Sequence, residues 1–176
     1  MQQGWSITTS VARRAIQLGV VTGLRSQLPL ALVAGAVQSS PAAVPLPGPL
    51  NWLNSRPLLD VARLSAAGEM VVDKLPVVPS RLAPGPLIFR LVVAGFAAGS
   101  LAVVARQPPV PAVILGIAGG AAGSIAGNRA RGYLSSRAGL PDQIGAILED
   151  LVAVGLGLNA VGGINPGTSR QVDQGR

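Results

Sequence analysis

The chain has 176 residues, of which 49% are hydrophobic, 12% charged and 3% aromatic, and its mean hydropathy is +0.49. A water-facing domain of this size carries about 25% charged residues, so the composition excludes an ordinary soluble domain and points to a bilayer. With no Cys and no His, disulfides, thiolate nucleophiles, imidazole bases and Cys- or His-ligated metals are excluded as well, and no cofactor or metal is expected.

Thirteen Arg and one Lys stand against seven acids, a net charge of +7. The basic residues are spread thinly, with no run longer than Arg13–Arg14. That distribution fits loop charge facing anionic headgroups and argues against a nucleic-acid partner. The 23 Gly and 15 Pro lie among Ala, Val, Leu and Ile, as in membrane helices, where both residues are commoner than in soluble ones.

In chain order, residues 1–14 form an N-terminal segment. Arg25 breaks the apolar run that follows, so retained structure is expected here instead of a cleaved leader. A span needs about 20 apolar residues, and four windows supply them: 15–37, 87–105, 110–127 and 144–164. The first is interrupted by Arg25, Ser26, Gln27 and Pro29 and is predicted to break near Pro29. The second reaches back to Leu87 if Arg90 snorkels to the interface. Between the first two lies a polar loop, 38–86, Pro-rich from Ser39 to Pro49. It carries an amphipathic helix over 57–74 that either lies in the interface or packs across the bundle mouth. The tail 165–176 lacks apolar content and is expected to be mobile. The fold class is therefore all-α, a polytopic integral membrane protein with about four transmembrane helices and one interfacial helix. Loop Lys and Arg favour an outside N-terminus and Arg13–Arg14 the reverse. Orientation stays open, as does whether the first span is continuous or a re-entrant hairpin.

Small residues recur four apart: Gly19 and Gly23, Gly95 and Gly99, Gly116 and Gly120, and Gly119, Gly123 and Gly127. In lipid, such faces let helix backbones approach closely enough for van der Waals contact to hold them together. The third span is densest in them and is expected at the centre of the bundle. Trp5, Trp52, Phe89 and Tyr133 fall near span ends and read as interfacial anchors, and Asn128 and Asn159 as interhelical hydrogen-bonding groups.

An ionisable side chain at mid-membrane costs about 2.5–3.5 kcal/mol on insertion scales, so those that remain there mark a site or an ion pair. Arg25 qualifies, with Ser26 and Gln27 beside it to satisfy backbone groups freed by a break. Glu149 and Asp150 lie near the start of the fourth span, with Arg25, Arg129 and Arg131 as their candidate partners.

Several segments, TGLRSQLPLAL, DKLPVVPSRLAPGPLIFR, the Gly-rich third span with GNRARGYLSSR, and EDLVAVGLG, together resemble the bacterial membrane family catalogued as domain of unknown function 4126. The resemblance runs from about Ala15 to Leu158. It implies architecture and a shortlist of positions without an activity, and it groups Arg25, Asp73, Lys74, Arg81, Glu149 and Asp150 as one polar constellation. Three functions fit these residues. The first is a small oligomeric transporter or channel of the bacterial inner membrane. The second is a structural or accessory subunit of a larger membrane complex. The third is a lipid-modifying enzyme, which ranks last because no nucleophile–base pair or metal motif is visible, so no enzyme is expected. The expected partners are the lipid bilayer and either copies of this chain or other subunits.

Overall fold

The computed structural model describes residues 6–39, 46, 48–72, 82–137 and 141–162. Trp5, Asp73, Lys74, Arg81 and the tail from Asn165 lie outside the described residues. The described chain is 87% helical, without strands. Its elements are α1 (Thr9–Leu24), α2 (Leu28–Gln38), a 3₁₀ helix (Gly48–Asn54), α3 (Arg56–Val72), α4 (Pro84–Val104), α5 (Pro109–Ser136) and α6 (Asp142–Val161). Among them α4, α5 and α6 are long and apolar enough to cross a membrane, and α2 is a shorter apolar helix.

The first apolar window becomes two helices that lie side by side. Helix α1 ends at Leu24, Arg25 is extended (φ −138°, ψ 106°), and α2 starts at Leu28 with Pro29 in its first turn. The break therefore falls at Arg25–Gln27, ahead of Pro29, which costs nothing in a first turn because its missing N–H has no helical partner there. Helix α2 then runs back along α1. Leu18 of α1 packs with Val33, Ala34 and Val37 of α2, and Gly157 of α6 faces both Val21 and Leu32. The pair is a helical hairpin. At 1.5 Å per residue, α1 is about 24 Å and α2 about 16 Å long, so each is too short to cross about 30 Å of hydrocarbon unaided.

Helix α5 is the central post, packed against α1, α4 and α6. Glycine makes this possible. A Cβ on Gly23 would lie 2.5 Å from the Gly120 carbonyl oxygen, and one on Gly119 would lie 2.5 Å from that of Ile16. Toward α4, which adjoins α1, a Cβ on Gly116 would lie 2.7 Å from the Ala94 carbonyl oxygen, and one on Gly99 2.8 Å from a Val113 methyl. The register of these contacts makes α1 parallel to α5 and α4 antiparallel to it. Gly95 meets Ile117, Gly123 meets Val20, and Gly127 is buried.

Helix α3 does not simply float at the interface. Its Leu59, Ala62, Ala66 and Met70 pack on α2 and its neighbours, while Leu58, Val61, Leu64 and Val71 are exposed on the outside. It thus descends beside α2 toward the hinge. The 3₁₀ helix docks on the other end of the hairpin, where Gln38 Nε2 donates to the Leu53 and Ser55 carbonyls at 2.9 and 3.1 Å. Trp52 stacks on Phe96 with ring centroids 5.5 Å apart, which makes it a packing residue of the bundle as well as an aromatic near the surface. Phe89 and Tyr133 are exposed on α4 and α5.

A charge-capped hinge inside the bundle

Breaking a helix frees carbonyls at the end that stops and amides at the end that starts. In hydrocarbon each group left unpaired costs several kcal/mol. The hinge at Arg25–Gln27 is deep, since Gly23 packs against Gly120 and Ser124, close to the midpoint of α5 and about 20 Å from either end. Every freed group there must therefore find a partner from the protein.

Arg25, Arg90 and Glu69 supply most of them. The last carbonyls of α1 are met in turn. Val21 accepts from the Arg25 amide at 2.7 Å, Thr22 and Gly23 both accept from Arg90 Nη1 at 3.2 Å, and Leu24 accepts from Arg25 Nη1 at 3.3 Å. Ser124 Oγ of α5 also donates to Gly23 at 3.5 Å. On the other side of the break, Glu69 of α3 takes the Ser26 amide and hydroxyl on one carboxylate oxygen, both at 2.8 Å, and the Gln27 amide on the other at 2.9 Å. A carboxylate at the start of α2 is also where the helix dipole favours negative charge.

These charges are themselves paired. Arg25, with no exposed surface, donates from Nε to Asp150 Oδ1 and from Nη2 to the Ala146 carbonyl at 3.5 Å. Arg90 Nη2 lies 3.4 Å from Glu69, and Arg131 Nε lies 3.7 Å from Glu149. Three arginines from α1–α2, α4 and α5 thus face three acids from α3 and α6, and the cluster is neutral. Among the described residues no group of three acids converges as a metal site would require.

Arg25, Ser26, Gln27 and Asp150 come together, and Glu149 sits one residue away with its own partner. Glu69 and Arg90 belong to the same centre, although the sequence singles out neither as a candidate and Arg90 is expected there to snorkel outward. Arg90 is buried and turned inward, because its long side chain reaches from the first third of α4 to the open end of α1. The only sequence signal for either is their type: an acid on an amphipathic helix and a cation inside an apolar window. Asn159 accepts from Gln17 Nε2 at 3.2 Å, tying α6 to α1, whereas Asn128 is exposed.

Helices of this length and hydropathy, joined to a helical hairpin with a neutral charge cluster at its tip, define an all-α polytopic membrane protein. The chain belongs to the family described as Domain of unknown function (DUF4126), whose model matches residues 14–162. Comparison with curated proteins and with solved structures finds no match.

Proposed function

We propose that the protein is a small transporter or channel, in its closed form here, in which the α1–α2 hairpin is the moving part and the Arg25–Asp150 and Arg90–Glu69 pairs hold it shut. The observation that carries this reading is the interrupted helix with its tip near the middle of the bundle. Non-helical backbone at that depth is tolerated where it lines a path or a site, and exchangeable charge caps let it change partners. The role is non-catalytic, the membrane is the bacterial inner membrane suggested by the family resemblance, and oligomerisation supplies the enclosure that so few spans lack alone.

The test is flux in proteoliposomes loaded with K⁺, Cl⁻ and a small anionic dye. Glu69→Gln keeps the shape of the cap but removes its charge, and is expected to raise flux several-fold over the unmodified protein. Flux no greater than that of empty liposomes for both proteins contradicts the reading.

One observation favours a second reading, an accessory subunit of a larger complex: Arg25 is wholly buried and paired within its own chain, as a purely structural ion pair is. Other chains retained in fixed proportion after mild-detergent extraction from native membranes support this reading, and a lone stable species opposes it.

A further inference from the structure

Helices α5 and α6 meet near the end where α5 finishes and α6 begins, where Gly145 faces Arg131 and Leu134. Between them and α1 lies a trough of about 300 Å³. On α5 it is floored by Gly123, Ala126, Gly127 and Ala130, whose small side chains are what leave it open, and its α6 wall includes Leu148 and Val152. Leu148 and Val152 are 46% and 53% exposed, so the trough opens sideways, toward lipid. Measured along α5 from Gly123 to Leu134, it is about 16 Å long, which matches one leaflet of a hydrocarbon core about 30 Å thick. At its outer end Arg131 and Glu149 form part of the wall, with Arg131 Nε held 3.7 Å from the carboxylate. Arg137, exposed at the C-terminal cap of α5, continues the same helical stripe one turn beyond Leu134.

We infer that this trough is a binding site for one anionic phospholipid of the leaflet at the C-terminal end of α5, with an acyl chain along the glycine–alanine floor and the phosphate between Arg131 and Arg137. The charge argument holds locally. The last turns of α5 carry Arg129, Arg131 and Arg137 and no acid; of the three acids in the first half of α6, Asp142, Glu149 and Asp150, the last is taken by Arg25 of the hinge, which leaves two against the three arginines. Arginines also suit the negative end of a helix dipole, but that accounts for their sign alone and not for a leaflet-long apolar trough ending beside them. A basic pocket between membrane helices at the headgroup level is the arrangement that selects anionic lipid.

The experiment is native mass spectrometry of the full chain in detergent, titrated with phosphatidylglycerol or phosphatidylcholine. One phosphatidylglycerol per chain is expected to bind about fivefold more tightly than phosphatidylcholine, the effect of one basic contact. Ala130→Phe, which fills the trough, is expected to weaken phosphatidylglycerol at least about tenfold through lost acyl burial, and Ala126→Leu serves if that variant does not fold. Arg137→Gln, at an exposed position, is expected to remove most of the preference between the two lipids while leaving phosphatidylcholine unchanged. Equal binding of the two lipids, a preference untouched by Arg137→Gln, or binding untouched by either filled trough overturns the assignment. So does a dimer of the unmodified chain that filling the trough abolishes, because a second copy then covers it.

Discussion

At the scale of residues, the hinge is held by groups that are tolerable in hydrocarbon only together. Removing one partner of a buried pair leaves an uncompensated charge, a loss of about 3–5 kcal/mol, whereas replacing both by apolar residues of similar size costs far less. Arg25→Met and Asp150→Leu are therefore expected each to destabilise strongly, and the double variant to recover a large part of the loss. Thermal unfolding in detergent, read as a double-mutant cycle, checks this, and additive losses contradict it. A different residue is locally strained. Arg106, in the turn between α4 and α5, has φ 55°, and its neighbours close the turn through the Arg106 and Gln107 amides to the Val103 and Ala102 carbonyls. That geometry suits glycine, so Arg106→Gly is expected to raise stability by about 1 kcal/mol in the same assay.

The residue types at the hinge were partly legible in the sequence. Arg25 stands out because an apolar window contains it, and Glu149–Asp150 because they are acids inside the fourth window, near its start. Glu69 did not stand out: a carboxylate on an amphipathic helix looks alike whether it meets water or the start of another helix. Arg90 was ambiguous for a steric reason, since an arginine near a span end can reach outward to the interface or inward to a broken helix with equal ease.

At the scale of elements, α5 works as a post because its neighbours rest on its backbone. Gly19 and Gly23 meet α5 with no room for a side chain, whereas Gly155 on α6 faces open space. Gly23→Ala is expected to destabilise despite alanine's better helix propensity, by about 1–3 kcal/mol of overpacking, while Gly155→Ala is expected to be neutral or to gain up to about 1 kcal/mol. Unfolding midpoints of the two variants check the contrast, and equal effects contradict it. The glycine spacing was visible in the sequence. Which helix each glycine meets was not, because a four-residue repeat records a face and not its partner.

At the scale of the whole molecule, the apolar windows around α4, α5 and α6 were legible from length and hydropathy, since nothing else in a chain of this composition produces runs of that kind. The path of the first window was not. Hydropathy is blind to direction, and a window of 23 residues reads the same whether it crosses once or turns back on itself. What decides it is the short polar stretch at Arg25–Gln27 and the groups elsewhere in the chain, Arg90 and Glu69, that make a turn at that depth tolerable.

The return of α2 beside α1 is the claim on which the hinge and its role depend. Because the chain has no Cys, one introduced thiol reports one position. Thr8 precedes α1 and Ser39 follows α2, and both are exposed. Thr8→Cys and Ser39→Cys, labelled with a membrane-impermeant maleimide in sealed, uniformly oriented vesicles, are predicted to react from the same side, and Ser136→Cys at the end of α5 from the opposite side. Labelling of Thr8→Cys and Ser39→Cys from opposite sides would mean that residues 9–38 cross the membrane once, and would contradict the account.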